Sequence, residues 1–217
     1  MHDRPSGLAP PRRPNGLLRS AMRLPPPAYE RLQRYAHGGY SDVVDVMAAQ
    51  LDLTPGDVVV EVGCGTGSLA PAFLSRGFDY WGVEPDAGRV HAARARIGDR
   101  FLVGDTTTLR DLALPHPLHF FMHGVLHHMN DRAARAALST LVALSGHDVI
   151  VSEPLRPNQW WTNPLGELVT RFDEGRWPRR QEEWLDLAGR DSIRYVGVRR
   201  LWPRWPVAML DLRVGAS

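Results

Sequence analysis

Residues 58–67 read VVVEVGCGTG, and this stretch decides the fold of the 217-residue chain. Its apolar run is typical of a buried strand in a parallel sheet. Three glycines then follow at alternate positions, where they allow a tight turn at positive φ and let a ligand approach the main chain closely. A helix can begin directly behind them, from Ser68 onward. The stretch therefore predicts a strand, a turn and a helix that together bind a nucleotide-type ligand.

Predicted strands and helices alternate after this turn. Further strands are expected at residues 80–83, 101–103, 118–122 and 147–152, with helices between them. This alternation predicts a parallel sheet covered by helices on both faces, with ligands bound beyond the carboxyl ends of its strands. Glu61, Glu84, Asp105 and His123 all lie at or next to such an end, so we expect them at one edge of the sheet.

Composition limits the chemistry. The chain has no lysine, which excludes Schiff-base and lysine general-base mechanisms. Its single cysteine, Cys64, excludes an internal disulfide and a thiolate metal cluster, and its place between two turn glycines suits a structural role. The formal net charge of +2 implies no strong attraction to nucleic acid.

The length favours one domain. Residues 1–28 are rich in proline and arginine and are expected to form a flexible tail, whereas residues 29–217 form the domain, with N-terminal helices in 29–53 and Ser41 capping the second. No apolar stretch is long enough for a membrane helix, and no signal peptide is evident. The chain is therefore expected to be cytoplasmic and to have no membrane partner.

The glycine spacing differs from the dinucleotide fingerprint G-x-G-x-x-G, and Glu61 would repel a pyrophosphate but suits an ammonium group. A nicotinamide dehydrogenase is therefore disfavoured. Glu61, Gly63, Gly65 and Gly67 match E/D-x-G-x-G-x-G, and here the chain resembles the class I S-adenosylmethionine-dependent methyltransferases. The resemblance implies an α/β fold, a Rossmann-like three-layer sandwich whose seven-stranded sheet is mostly parallel with the last strand antiparallel. It also implies S-adenosylmethionine as cofactor and S-adenosylhomocysteine as its product.

Roles follow for the strand-end residues. Glu84 stands where a carboxylate accepts the two ribose hydroxyls, and an exposed loop carboxylate is the alternative. By resemblance, Asp105 accepts the adenine amine beside the Thr106 amide, and an Asx turn is the alternative. Glu61 would orient the turn amides or lie near the methionyl ammonium. The predicted cofactor-binding residues are Glu61, Gly63, Cys64, Gly65, Gly67, Glu84, Pro85, Asp105, Thr106 and His123.

Five histidines lie close together in the sequence: His116, His119, His123, His127 and His128. A metal site is disfavoured because His119 and His123 would be about 13 Å apart along one strand. The segment 123–129 instead matches one that passes beside the methyl group in these methyltransferases. His127 is the first choice for a catalytic base or orienting group, with His128 behind it. The alternative, that both histidines serve packing and capping, stays open.

The last third of the chain carries six of the seven tryptophans and would form the acceptor side. Residues 153–180 are expected to be a lid with a helix at 164–172, and residues 175–179 resemble a Gly-Arg-x-x-Arg segment of related enzymes. Arg176, Arg179 and Arg180 either clamp an anion or, more simply, form a solvated charge run.

The predicted function is methyl transfer to an O, N or C atom of a small-molecule metabolite by a monomer or homodimer. Two alternatives remain. One is a fold that binds the cofactor without transferring methyl, as a cyclase or scaffold. The other is a nucleic-acid methyltransferase, which is disfavoured because its Asn/Asp-Pro-Pro-Tyr/Phe signature does not follow the fourth strand.

Overall fold

The computed structural model describes residues 35, 40–115, 118–158, 162–172, 175–201 and 205–216. Strands and helices alternate as predicted. The strands are β1 (Val58–Val62), β2 (Asp79–Glu84), β3 (Phe101–Val103), β4 (His119–His123), β5 (Val149–Pro154), β6 (Ile193–Arg199) and β7 (Met209–Val214). The helices are α1 (Ser41–Gln50), α2 (Ala70–Leu74), α3 (Ala87–Ile97), α4 (Asp131–Ser145), α5 (Pro164–Phe172) and α6 (Gln181–Ala188).

The seven strands form one sheet in the order β3-β2-β1-β4-β5-β7-β6. The first five strands pair in parallel, whereas β7 is antiparallel to both of its neighbours. This confirms the predicted mostly parallel sheet with an antiparallel last strand. Because β1 to β5 all point the same way, their carboxyl ends meet at one edge of the sheet.

Two apolar cores fill the faces of this sheet. One lies beneath α1, α2 and α3 and includes Met47, Phe73 and Val90. The other lies beneath α4 and α6 and includes Leu141 and Trp184. Every residue of β1 is buried because helices cover both faces, which explains why four of its five residues are valines. The predicted three-layer sandwich is confirmed.

The predicted tail and almost all of the first predicted helix lie outside the described residues, whereas the second helix is α1. Its N-cap is Tyr40, which has a left-handed backbone (φ 67°) and makes no side-chain cap bond. The prediction of Ser41 as the cap was therefore wrong. Ser41 is already helical, because Tyr40 makes the change of direction into α1 and its ring is buried beneath that helix.

Candidate active site

The glycine turn leaves β1 at the carboxyl edge with φ values of 82° at Gly63, 55° at Gly65 and 75° at Gly67. These left-handed conformations favour glycine. The surroundings of two of them also require it: a Cβ on Gly63 would lie 2.6 Å from Val125, and one on Gly67 would lie 2.6 Å from Phe101. At Gly65 no described atom comes within 4 Å of such a Cβ. The turn is thus packed at both ends and open in the middle.

Glu84, the last residue of β2, reaches the centre of this turn. Its Oε2 accepts the Gly65 N–H at 3.0 Å, and its Oε1 accepts the Asp86 N–H at 3.2 Å. The Glu84 side chain is only 7% exposed. Glu84 rather than Glu61 therefore orients a turn amide, which corrects one of the two roles expected for Glu61. It is also no exposed loop carboxylate.

Glu61 points from β1 into the core beneath α1 and α2, where it accepts a short hydrogen bond from the Tyr80 hydroxyl. Burial raises the pKa of Glu61 to about 8, although the Tyr80 bond acts in the opposite direction. Burial likewise raises the pKa of the Tyr80 phenol. Near neutral pH the ligand-free protein therefore holds a proton on Glu61.

This protonation predicts a pH dependence of stability. A raised carboxyl pKa stabilises the fold below the unfolded value of 4.5, and that contribution is lost as the pH rises through about 8. At about 1.4 kcal/mol per tenfold change in proton affinity, the loss is on the order of 5 kcal/mol. Glu61→Gln should therefore gain stability relative to the natural protein between pH 5 and pH 9, as measured by urea unfolding of the ligand-free proteins. Exposed Glu182→Gln is the control, and a parallel pH dependence for Glu61→Gln and the natural protein would refute the prediction.

Cys64 faces the core. Its sulfur would lie 2.7 Å from a Cβ on Gly82, so the glycine in β2 makes room for it. Burial raises the pKa of the Cys64 thiol far above its usual range, which leaves it un-ionised and unreactive. This agrees with the structural role expected for Cys64.

Asp105 follows β3 at the same edge and forms an Asx turn. Its Oδ1 accepts the main-chain N–H of Thr107 at 2.8 Å and the Thr107 hydroxyl at 2.6 Å, and these bonds lower its pKa. The carboxylate is therefore ionised, exposed and held in one orientation. Thr106 is half-buried beside it, and Pro85 is exposed after β2.

A second group of contacts centres on His127, in the short 3₁₀ turn Leu126–His128 after β4. Its Nδ1 lies 2.8 Å from Oε2 of Glu153, and the two side chains are 7% and 1% exposed. The same carboxylate accepts the N–H groups of Val125 at 2.9 Å, Leu126 at 2.7 Å and His127 at 3.2 Å. Because the Glu153 carboxylate already accepts these three main-chain N–H groups, we assign Nδ1 as a further donor to it, and the ring nitrogen that can act as a base is Nε2. The His128 ring lies tilted beside that of His127, with the ring centroids 4.1 Å apart, but His128 is exposed.

Sequence reasoning missed Glu153. The predicted fifth strand ended at Ser152, whereas β5 continues to Pro154 because β7 pairs with it as far as Met209. Glu153 is thereby a strand-end carboxylate like Glu84. The available signal was an acidic residue immediately after an apolar run.

Arg179 approaches the same turn from the other side, and it is buried. Its guanidinium donates to the carbonyl oxygens of Leu126 at 3.2 Å and Met129 at 2.8 Å, and to Asp131 at 2.7 and 3.0 Å. It also lies 4.7 Å above the Trp184 ring. Both expectations for Arg179, an anion clamp and a solvated charge, were therefore wrong. Its neighbours in sequence, Arg176 and Arg180, are exposed.

Gly175 covers the edge of the His127 ring. A Cβ on Gly175 would lie 1.9 Å from Cδ2 and 2.9 Å from Nε2 of that ring, and the Trp177 N–H donates to the His127 carbonyl oxygen at 2.8 Å. The Gly-Arg-x-x-Arg segment, residues 175–179, thus holds the His127 turn at its two ends, through Gly175 and Arg179.

We expect Gly175→Ala to separate this segment from His127. Overpacking of this kind costs about 1–3 kcal/mol, which thermal unfolding would measure, and the His127 ring signals in an NMR spectrum should shift. Arg176→Ala changes the next, exposed residue and should leave both readouts unaltered. If the Gly175→Ala ring signals match those of the natural protein, the contact does not exist in solution.

The remaining described histidines of this group lie at opposite edges of the sheet. His123 ends β4 at the carboxyl edge, where the Tyr40 ring meets it edge-on at 5.9 Å. His119 begins β4 at the opposite edge, stacked on His147 at 5.3 Å, and burial lowers its pKa. His116 lies outside the described residues. Within the described ranges, no group of three or more histidine, cysteine or acidic side chains is arranged to hold a metal.

Comparison with known proteins identifies the class. The model of the family "Methyltransferase domain" matches residues 59–145, which span the glycine turn, Glu84, Asp105 and the His127 turn. Residues 59–145 are therefore similar to a methyltransferase domain. Two crystal structures of a magnesium protoporphyrin IX methyltransferase with a similar fold contain bound S-adenosylhomocysteine and S-adenosylmethionine. In the part of this chain that the structure describes, no helix has both the length and the apolarity to cross a membrane.

Three similar proteins illustrate the match. An uncharacterized methyltransferase of Geobacillus sp. (strain WCH70) is 29% identical over 147 residues, which are 66% of this chain and 67% of the relative. One from Mycobacterium sp. (strain KMS) is 42% identical over 69 residues, which are 31% of this chain and 27% of that relative. The crystal structure of magnesium protoporphyrin IX methyltransferase from Synechocystis PCC 6803 with S-adenosylhomocysteine bound has a TM-score of 0.59 at 20% identity, and the match covers 92% of this chain and 94% of that one.

Proposed function

We propose that this methyltransferase methylates an O, N or C atom of a small-molecule metabolite, with His127 as the base when the acceptor carries a proton. The observation that carries this proposal is the buried His127–Glu153 pair at the carboxyl edge, on a turn whose Val125 packs against Gly63. An oriented imidazole beside a cofactor turn is the arrangement that general base catalysis requires. The Synechocystis enzyme, which has the same fold, acts by its name on a porphyrin, also a small molecule.

The residues at the edge fit S-adenosylmethionine. The open middle of the glycine turn admits a ligand against the main chain, and each Glu84 oxygen keeps a lone pair for a ribose hydroxyl besides its bond to a turn amide. Asp105 and the Thr106 amide would hold the adenine, and Gly63 and His123 would lie beside the methionyl part. The cofactor supplies a methyl group on a sulfonium, an electrophile that needs alignment more than activation.

Glu61 would respond to the methionyl ammonium of the cofactor by losing its proton. A cation near its carboxyl favours the ionised form, so binding near neutral pH should release the proton that burial keeps on Glu61. The Tyr80 hydroxyl remains a donor to the ionised carboxylate and stabilises it. The other predicted contacts, Cys64, Gly67 and Pro85, would contribute main-chain and packing surface.

Glu153 acts on the acceptor through His127. Its carboxylate holds Nδ1 as the donor and stabilises the imidazolium that forms when Nε2 takes a proton. The ring is covered by Gly175, so the acceptor reaches it only when residues 175–180 move. This requirement supports the lid expected in residues 153–180. The two ends of that segment pair with each other through a β-bridge between Leu155 and Arg179.

Two experiments test the proposal. Calorimetry with S-adenosylmethionine, S-adenosylhomocysteine and NAD should show binding of the first two alone, and binding of NAD alone would exclude the cofactor. Incubation of a metabolite extract with methyl-labelled cofactor, followed by mass spectrometry, should then show a labelled small molecule. Cofactor binding without any labelled product would favour the cyclase or scaffold alternative, and label in RNA or DNA would favour a nucleic-acid substrate.

A further inference from the structure

A row of polar side chains crosses the sheet near its carboxyl edge. His123 of β4 is in register with Ser152 of β5, and Ser152 is in register with Asp211 of β7. Residues paired in this way point to the same face, here the face that α1 covers, because Phe121 and Ile150 two residues earlier pack in that core. Ser152 is fully buried and Asp211 is 2% exposed. We call His123, Ser152 and Asp211 the polar row.

Arg199, the last residue of β6, lies across this row. Its Nε and Nη2 donate to the two Asp211 oxygens at 2.5 and 3.0 Å, and Nη2 also donates to the Ser152 hydroxyl at 2.8 Å. The side chain is 14% exposed. Its Nη1 is buried, and no hydrogen-bond acceptor for it occurs among the residues that the structure describes. A buried donor that lacks an acceptor destabilises the fold.

Stability alone gives no reason for this arrangement. A buried ion pair seldom stabilises a fold more than apolar residues of the same size would, and a spare buried donor makes it worse. The polar row lies beside Phe121 and Ile150, which pack in an apolar core, so a role in binding accounts for its charge better than stability does. A guanidinium already fixed by Asp211 and Ser152, with two N–H groups left over, is preorganised to bind an anionic oxygen.

The position of the row relates it to methyl transfer. Because β6 runs parallel to β5, Arg199 lies at the carboxyl edge with the cofactor site. The row is also next to the segment that carries His127, since Ser152 accepts the Gly124 N–H at 2.8 Å. Two strand spacings, roughly 10 Å, separate Asp211 from His123. Aromatic rings flank the row: Tyr40 meets His123, and Tyr195 lies across Gly197, the register partner of Asp211.

We propose that Arg199 binds a carboxylate of the methyl acceptor through Nη1, so that the metabolite is a small carboxylic acid with a ring that packs between these aromatic side chains. This inference rests on the proposed function, whose acceptor it specifies. Arg199 would be a specificity-determining residue that touches the substrate, whereas Asp211 and Ser152 position it.

A binding experiment without methyl transfer tests the anion site. Benzoate and its uncharged analogue benzamide are titrated into the protein with and without S-adenosylhomocysteine, and the Arg199 Nε–H signal is followed by NMR. We expect benzoate to shift this signal and to bind at least tenfold more tightly than benzamide. Arg199→Gln should remove the preference, as should Arg199→Gln combined with Asp211→Asn, which avoids leaving a buried unpaired carboxylate. Arg190→Gln, an exposed arginine, should not.

Equal binding of benzoate and benzamide, or a preference that persists in both Arg199 variants, would overturn the inference. These readouts are independent of the proposed function, which fails instead if S-adenosylhomocysteine does not bind or if no metabolite is labelled. Where a labelled acceptor is found, its methyl ester should react at least tenfold less efficiently than the free acid in the natural protein. In Arg199→Gln, acid and ester should react alike.

Discussion

Glu84→Gln is expected to weaken S-adenosylhomocysteine binding about 100-fold. The carboxylate would accept two ribose hydroxyls while it holds the Gly65 and Asp86 amides, and Gln offers a single oxygen. Its NH₂ group would face one of these donors, so either the turn or the ribose loses a bond. Isothermal calorimetry at fixed pH measures the change directly.

Asp86→Asn is the matched control for Glu84→Gln. Asp86 is exposed two residues further on and caps α3 by accepting the Arg89 N–H at 2.9 Å, a role that Asn fills equally well. Its affinity should stay within about threefold of that of the natural protein. Urea unfolding of ligand-free Glu84→Gln would show that the variant is folded. Unchanged affinity in a folded Glu84→Gln protein would remove Glu84 from the cofactor site.

His127→Asn is expected to lower kcat about 100- to 10,000-fold for an acceptor that must lose a proton. The Asn NH₂ can still donate to Glu153 and keep the turn in place, but nothing replaces Nε2 as a base. Cofactor affinity should be nearly unaltered, because His127 meets the cofactor turn only through Val125. The rate of methyl transfer from labelled cofactor to the acceptor found in the extract experiment measures the effect.

His128→Asn is the control for His127→Asn, since His128 is adjacent in sequence and its ring lies beside that of His127, but the residue is exposed. Its rate should fall by less than about threefold. Equal rates for the two histidine variants would show that alignment alone sustains the reaction.

Most of the fold could be predicted because its signals are local. The bounds predicted for β3 and α5 agree with those observed, since apolar periodicity and capping chemistry act within about ten residues. The predicted fifth strand ended two residues before the observed end of β5. Neither Glu153 nor Pro154 favours a strand, and only pairing with β7, more than 50 residues later, extends β5 to include them.

The candidate site was likewise only partly predictable from the sequence. Glu84 and Asp105 were identified because a carboxylate after an apolar strand is visible in the sequence. Tyr80 as the donor to Glu61 was not, since that contact depends on β2 lying next to β1. Arg179 resembled a surface charge because its acceptors are carbonyl oxygens, which no sequence pattern marks.

The sequence by itself determined the order of strands and helices, the glycine turn and the polar residues at the strand ends that indicate S-adenosylmethionine. The tertiary structure alone decided which side chains work in pairs. His127 and Glu153 are 26 residues apart, Leu126 and Arg179 are 53, and Ser152 and Arg199 are 47. Strand order in the sheet brings each pair together, and strand order results from packing the whole chain around two cores. A ten-residue motif therefore suffices to predict the cofactor, whereas recognition of the acceptor depends on contacts that exist only after folding.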